Sequence, residues 1–188
     1  MCCDSQSKVP LAAAILVGGR ARRMGRPKQS VLWQDEQTMG QRMVLLARSV
    51  CETVLASGPT GSLDGVQCLE DATSWEGQGP LSGIATALMS GLAERWLIMP
   101  CDMPALTTED LHRLIAMEST LACCAVEGHI RPLPMCVHAS LGLSLSQFLH
   151  GGGRRVQDWT ELHEPAIMPL AADRAININR PEDLPTPN

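Results

Sequence analysis

Short apolar runs bounded by turn-forming residues recur along the chain, and several of them are separated by stretches in which apolar residues follow a helical spacing. Runs of this length are typical of strands buried inside a sheet. The runs cover residues 11–17, 54–56, 66–69, 96–99, 121–126, 134–137, 166–170 and 175–178. In the run 121–126, the adjacent residues Cys123 and Cys124 are expected to alternate across a buried strand. The pattern predicts a sheet of mostly buried strands.

The intervening stretches carry apolar residues every three or four positions, the spacing of a helix with one buried face. Pro80 follows Gly79 and suits the first position of the second of these helices. Thr107 and Asp110 predict a capping box at the start of the third. The apolar stripes are Met39, Met43, Leu46 and Val50, then Ile84, Leu88 and Leu92, then Leu111, Leu114 and Ile115.

This alternation of strands and helices indicates an α/β protein. We expect a single Rossmann-like, three-layer α/β/α domain with a mainly parallel central sheet, spanning residues 1–188 with loose ends at 1–8 and 185–188. In such a fold, ligands bind beyond the carboxyl ends of the strands. The segments that follow the apolar runs are therefore where functional residues are expected.

The composition is that of an ordinary folded protein. The chain has 188 residues, of which 45% are hydrophobic and 19% charged, and its net charge is −5. This composition excludes a wholly disordered chain. The negative net charge argues against a basic protein that binds nucleic acid. The eight cysteines are not accompanied by a secretory leader, and no apolar run is long enough to span a membrane. We expect a reduced, cytoplasmic protein without nucleic-acid or membrane partners.

A glycine-rich basic segment follows the first predicted strand. Gly18 and Gly19 would let backbone N–H groups approach a ligand closely, and Arg23 and Lys28 add positive charge suited to phosphate oxygens. Neither the G-x-x-x-x-G-K-[ST] nor the G-x-G-x-x-G signature is present, which argues against ATPase and dehydrogenase functions. A glycine turn with a solvated basic face remains the alternative for this segment taken alone.

Two acidic residues follow other predicted strands. Asp102 lies just past the fourth run, between Pro100 and Pro104, and a lone carboxylate beside a triphosphate suits Mg²⁺. A turn aspartate that binds its own backbone is the alternative. Asp71 precedes a glycine-proline segment, and its carboxylate suits the N1–H and N2–H₂ donors of guanine. A surface loop is the alternative there.

Taken together and in order, these segments resemble the molybdenum cofactor guanylyltransferases, from about residue 11 to residue 184. Each motif alone is weak, and the order and spacing of all six carry the resemblance. The matching stretches are G-G-x-x-x-R-M-G at residues 18–25 with Lys28, Asp71, GPLSG at 79–83, PCDMP at 100–104, GGRRV at 152–156 and ININRPEDL at 176–184.

The resemblance implies transfer of GMP from GTP to the terminal phosphate of molybdopterin, with release of pyrophosphate and with Mg²⁺ bound by Asp102. Arg23, Lys28 and Asp102 would be the catalytic residues. The implied nucleotide contacts are Leu16, Val17, Gly18, Gly19, Lys28, Asp71, Pro80, Leu81, Gly83 and Asp102. The implied acceptor contacts are Arg154, Arg155, Asn177 and Asn179. Transient contact with a molybdoenzyme or a cofactor-insertion protein is also expected.

The chain departs from the family pattern in ways that bear on the choice of base. Val17 replaces an alanine of the family's glycine loop and is expected to narrow the ligand space, while Ser57 replaces an asparagine after the second strand. The stretch MGRPK, with Lys28, is more like the cytidylyltransferase relatives, whereas the N-I-N of Asn177 and Asn179 is like the guanylyl branch. Transfer of CMP, or of another nucleotide to another phosphorylated acceptor, remains an alternative. A non-catalytic nucleotide-binding adaptor is the alternative of a different class.

Overall fold

A computed structural model describes residues 9–17, 27–34, 37–59, 61–69 and 79–184. The seven strands are β1 (Val9–Leu16), β2 (Thr53–Ser57), β3 (Gln67–Leu69), β4 (Ala93–Pro100), β5 (Leu121–Val126), β6 (His129–His138) and β7 (Ala166–Pro169). The helices are α1 (Met39–Arg48), α2 (Pro80–Met89), α3 (Thr108–Ile115), α4 (Gly142–His150) and α5 (Val156–Glu161). Short 3-10 turns span Lys28–Ser30, Ala139–Leu141 and Pro181–Asp183.

The strands form one sheet in the order β3-β2-β1-β4-β6-β5-β7. Every neighbouring pair is parallel except the two that involve β6, which runs antiparallel to β4 and to β5. The predicted mainly parallel sheet is confirmed. A parallel sheet needs cover on both faces, because the connections between its strands cross over one face or the other.

Helices cover both faces. On one face, α1 and α3 contribute residues such as Met43 and Leu111 to the same core cluster as Ile15 of β1. On the other face, α2, α4 and α5 contribute residues such as Leu145 and Trp159 to the core cluster that contains Trp96 of β4. The result is the three-layer α/β/α arrangement that the sequence predicts.

Successive residues of the strands enter opposite cores, as the two-residue repeat of a strand requires. In β5, Cys123 belongs to the core under α2 and Cys124 to the core under α3, and both are fully buried. Burial raises the pKa of Cys124 to about 12. Both thiols therefore pack as small apolar groups, as the alternation along the run predicts.

The helix starts follow the sequence signals. The capping box at Thr107 and Asp110 forms, and α2 starts at Pro80 with Gly79 as its N-cap. A second capping box, formed by Thr38 and Gln41, begins α1. Each box satisfies backbone N–H groups that the first helical turn would otherwise leave without an acceptor.

One strand prediction is wrong and two helices were not predicted. Residues 175–178 form no strand, and Ile178 is instead a single buried side chain that packs with Val31 and Met39. Helices α4 and α5 lie in segments where the spacing of apolar residues predicted no helix. That residues 1–188 form a single domain with loose ends stays a prediction, because residues 1–8 and 185–188 lie outside the described part.

Within the described residues, none of the helices has the length and apolar character needed to cross a membrane.

Candidate functional site

Three parallel strands end together at one edge of the sheet. Leu16 at the end of β1 pairs in register with Ser57 of β2 on one side and with Pro100 of β4 on the other. The backbone N–H of Val17 continues this row by donating to the Ser57 carbonyl at 2.8 Å. The segments after β1 and β4, which carry Lys28 and Asp102, therefore leave the sheet at the same edge.

Lys28, Asp102 and Asn179 meet at this edge. The Lys28 Nζ donates to Asp102 Oδ2 at 2.6 Å and to Asn179 Oδ1 at 2.5 Å. The side chains of Lys28 and Asp102 are 22% and 16% exposed, so the ion pair is partly shielded from water. Partial burial strengthens the attraction of such a pair relative to an exposed one. We call these three residues the polar centre.

The segment that carries Asn179 is fixed to the loop that carries Asp102. The Ile178 N–H donates to the Asp102 carbonyl at 2.9 Å. The Ile178 side chain is fully buried and packs with Val31, which follows the 3-10 turn of Lys28. One buried side chain and one backbone hydrogen bond thus bring the third member of the polar centre to the other two.

Arg42 of α1 braces the loop that follows Asp102. Its Nε donates to the carbonyl of Pro104 at 3.3 Å, and its Nη2 donates to the carbonyl of Leu106 at 3.1 Å. These carbonyls lie more than sixty residues away in the sequence, at separations of 62 and 64. Arg42 was not among the residues predicted from the sequence, because nothing in a local pattern reveals which distant carbonyls an arginine binds.

The start of α2 approaches the same strand ends. Gly83 lies against Ser57, and a Cβ at Gly83 would be 2.2 Å from Ser57 Oγ and 3.1 Å from Leu16 Cδ2. Leu81 is fully buried in the core, whereas Pro80 is exposed. Of the GPLSG residues expected to contact a nucleotide, Pro80 is thus open to solvent, whereas Gly83 packs closely against the ends of β1 and β2.

The side chain of Val17 does not narrow a ligand space, contrary to the expectation from the sequence. It is 5% exposed and belongs to the core cluster under α1. Gly58 is in contact with it, since a Cβ at Gly58 would lie 2.0 Å from the Val17 carbonyl. Because the two extra methyl groups face the protein interior, only the backbone of Val17 belongs to the strand-end row.

The two arginines expected to contact the acceptor make other interactions. Arg154 Nη1 donates to the carbonyl of Leu149 at 3.0 Å, at the end of α4. Arg155 is 76% exposed and lies 3.4 Å from Asp158 on α5. Among the described contacts, neither arginine is joined to the polar centre. Asn177 is exposed, and its carbonyl accepts from Asn179 Nδ2 at 3.4 Å.

Four expected site residues, Gly18, Gly19, Arg23 and Asp71, lie outside the described residues. Their roles stay predictions from the sequence. The described stretch that precedes Gly18 in the sequence ends with Val17, at the same sheet edge as the polar centre.

Cys101, next to Asp102, is unsuited to act as a nucleophile. It is 4% exposed. Burial, with a further contribution from the adjacent Asp102 carboxylate, raises the pKa of its thiol to about 12. At neutral pH the thiol stays protonated and packs as a small apolar group.

The oxygen atoms of the polar centre suit a hard cation. They are too few to complete its coordination shell, so a bound substrate or water would have to supply further oxygen atoms. Asp102 Oδ2 and Asn179 Oδ1 both bind the single cationic nitrogen of Lys28. Oxygen ligands of these two kinds suit Mg²⁺, which commonly takes one or two protein carboxylates together with substrate phosphates and water. Across the described part of the chain, no group of three or more His, Cys, Asp or Glu side chains is placed to hold a metal. A metal at this edge would therefore depend on the substrate for further ligands.

Comparison with known proteins places this geometry in a family. Residues 13–165 match the family model of the MobA-like NTP transferase domain. A molybdenum cofactor guanylyltransferase from Shewanella frigidimarina is 29% identical over 180 residues, which cover 90% of this chain and 91% of that protein. A probable molybdenum cofactor guanylyltransferase from Nostoc is 30% identical over 187 residues, covering 93% and 88%.

Solved structures share the fold at low identity. Molybdopterin-guanine dinucleotide biosynthesis protein A from Archaeoglobus fulgidus superposes with a TM-score of 0.74 at 19% identity, covering 92% of this chain and 94% of the other. The 2-C-methyl-D-erythritol 4-phosphate cytidylyltransferase from Thermus thermophilus gives 0.67 at 16% identity, covering 93% and 95%. With the family match and the polar centre at the strand ends, these relationships show that the chain belongs to the MobA-like NTP transferase family and is a nucleotidyltransferase.

Proposed function

We propose that the chain transfers GMP from GTP to the terminal phosphate of molybdopterin and releases pyrophosphate in a Mg²⁺-dependent reaction in the cytoplasm. The observation that carries the proposal is the convergence of Lys28, Asp102 and Asn179 at the carboxyl ends of β1 and β4. The names of the relatives in Shewanella and Nostoc supply the nucleotide and the acceptor. Transient contact with a molybdoenzyme or a cofactor-insertion protein belongs to the same proposal.

The near-neutral charge of the polar centre suits a nucleotide whose negatively charged phosphate groups bind together with a divalent cation. Lys28 is offset by Asp102, so the described centre is close to neutral by itself. A triphosphate and a phosphate acceptor repel each other by several kcal/mol at close range, even at an effective dielectric of about 20. We infer that the arginines of residues 18–26, Arg20, Arg22, Arg23 and Arg26, supply additional positive charge, as the sequence predicts.

Each residue of the polar centre has a separate role in the proposed reaction. Lys28 leaves Asp102 and binds a phosphate oxygen, since an ammonium acts as a mobile point charge on a flexible stem. Asp102, released from Lys28, and Asn179 would hold Mg²⁺, which supplies neutralisation of phosphate charge when bound. The acceptor phosphate is largely ionised at neutral pH, so no strong general base is required. Catalysis then rests on alignment of the attacking oxygen with the departing pyrophosphate.

The test is the Asp102→Ala variant with GTP, molybdopterin and Mg²⁺. We expect pyrophosphate release to fall to the level measured with EDTA, while the far-UV circular dichroism spectrum stays that of the parent. The matched control is Asp64→Ala, because Asp64 is an exposed carboxylate outside the polar centre. Near-parental turnover by Asp102→Ala would contradict the role of this carboxylate.

The choice of base is tested in the same assay with CTP in place of GTP. Faster turnover with GTP supports the proposal. Faster turnover with CTP favours the cytidylyl alternative, to which the sequence around Lys28 points. Pyrophosphate release that does not require molybdopterin would show that another acceptor is used.

A further inference from the structure

The turn that follows Asn179 is closed by one carboxylate. Asp183 Oδ2 accepts hydrogen bonds from the backbone N–H of Asn179 at 2.8 Å and of Arg180 at 2.9 Å. The N–H of Asp183 in turn donates to the Arg180 carbonyl at 3.0 Å. The side chain at the third position of the 3-10 turn thus binds back to the residues before its first position, as in a capping box.

Asn179 has little packing to hold it in place. The residue is exposed. Among the described contacts, its side chain makes two hydrogen bonds: Oδ1 accepts from Lys28 Nζ, and Nδ2 donates to the Asn177 carbonyl. Its backbone position is set by buried Ile178 on one side and by Asp183 on the other. Removing the Asp183 acceptor would leave two N–H groups free to seek water and would release one side of this support.

We propose that Asp183 is a positioning residue of the transfer centre, which acts through the Asn179 backbone to hold Asn179 Oδ1 in the polar centre. There Asn179 Oδ1 accepts from Lys28 in the ligand-free chain and would help to hold Mg²⁺ in the proposed reaction. The chain of contacts runs from Asp183 to Asn179, from Asn179 to Lys28, and from Lys28 to Asp102. Asp183 makes no described contact with Lys28 or Asp102, so its effect passes through Asn179. The inference rests on the proposed function only for the claim that the polar centre carries the transfer reaction.

The first experiment compares steady-state turnover of Asp183→Ala and Asp183→Asn. The asparagine variant keeps an acceptor oxygen for both N–H groups, whereas alanine removes it. Because a misplacement of about 1 Å can cost about 100-fold in rate, we expect kcat/KM to fall by about 10- to 100-fold in Asp183→Ala. Asp183→Asn should restore most of that loss. The matched control is Glu182→Ala, since Glu182 is 66% exposed and pairs only with Arg180 among the described residues.

A double variant separates positioning from general damage. If Asp183 acts through Asn179, the Asn179→Ala/Asp183→Ala protein should be no slower than Asn179→Ala alone. Losses that multiply instead would overturn the inference, because they would mean that the two residues act independently. Equal kcat/KM for Asp183→Ala and Glu182→Ala would overturn it as well.

The second experiment needs no turnover. The rate at which an N-hydroxysuccinimide acetate acylates Lys28 is measured by mass spectrometry in the ligand-free chain. Asp183→Ala should raise that rate several-fold, because Lys28 loses one of its two acceptors, while Asp183→Asn and Glu182→Ala should leave it near the parental value. No change in Asp183→Ala would refute the inference. If the parent chain transferred no nucleotide, the proposed function would be contradicted. The acylation rates would still show whether Asp183 positions Asn179 on Lys28, because they do not depend on turnover.

Discussion

Replacing Gly83 by alanine tests the close contact between α2 and the sheet. A Cβ at Gly83 would be 2.2 Å from Ser57 Oγ, 3.2 Å from Ser57 Cβ and 3.1 Å from Leu16 Cδ2. Overpacking costs about 1–3 kcal/mol, and a Cβ within 2.2 Å of a buried hydroxyl belongs to the upper part of that range, about 2–3 kcal/mol. The better helix propensity of alanine returns about 1 kcal/mol. We therefore expect Gly83→Ala to lower the free energy of unfolding by about 1–2 kcal/mol, which corresponds to a decrease in Tm of about 2–8 °C.

Ser57→Ala should reverse this loss. Ser57 is 3% exposed, and its hydroxyl has no hydrogen-bond partner among the described residues. Removing the hydroxyl eliminates the 2.2 Å contact and leaves only contacts of 3.1 Å and 3.2 Å. In the Gly83→Ala background, Ser57→Ala is expected to restore about 1–2 kcal/mol, and alone it should be neutral or stabilising because a buried hydroxyl without a partner is costly.

The measurement is a double-mutant cycle from urea unfolding followed by tryptophan fluorescence, which the buried Trp96 and Trp159 provide. The control pair is Gly142→Ala with Ser57→Ala, since a Cβ at Gly142 would meet Met89 and Leu88 rather than Ser57. The control pair should be additive within about 0.5 kcal/mol. Additivity of Gly83→Ala and Ser57→Ala within the same limit would refute the reasoning.

Two further predictions concern stability. Asp110→Ala removes the acceptor for the N–H and hydroxyl of Thr107, at 3.0 Å and 2.7 Å, and should cost about 1–2 kcal/mol in thermal unfolding, whereas Glu109→Ala on the same turn should cost less. Equal losses would contradict a capping role. For His163, burial lowers the pKa, so the unfolded chain takes up a proton more readily and stability falls as pH decreases from about 6.5 toward the lowered value. His163→Gln should reduce that decrease in urea midpoint between pH 7.5 and 5.5; an unchanged decrease in this variant would contradict the assignment.

The local sequence pattern was sufficient to predict the strands that position Lys28 and Asp102 and the starts of helices α2 and α3. Because parallel strands end at a common edge, the positions of Lys28 after β1 and of Asp102 after β4 predicted that both lie at the same edge of the sheet, and there they form an ion pair. The capping box of α3 and the proline start of α2 also follow from local sequence. The two helix starts depend on residues within a few positions of one another, where backbone geometry decides the outcome. The Lys28–Asp102 pair joins residues 74 positions apart and follows from the common edge of the parallel strands.

Local pattern failed where long-range packing decides. Ile176 and Ile178 alternate as in a strand, yet Ile176 is 45% exposed and only Ile178 is buried. In α4, Leu143 and Leu145 alternate with serines, which also resembles a strand rather than a helix. Arg42 gives no local signal for its distant carbonyls. The stretch R-P-E-D at residues 180–183 predicts a proline-started turn, but as part of the motif at 176–184 it served only the family resemblance and gave no sign that Asp183 binds back to Asn179.

The stretch that carries the buried Ile178 follows the last described strand in the sequence and contributes no strand to the sheet. The contacts of Lys28 span 74 residues to Asp102 and 151 residues to Asn179, while all seven strands end by Pro169. A chain cut after Pro169 would retain every strand but lose one member of the polar centre. Such trimming would also remove the buried side chains of Leu170 and Ile178 from the core. An antibody against the sheet would still count any trimmed chains, although they lack Asn179.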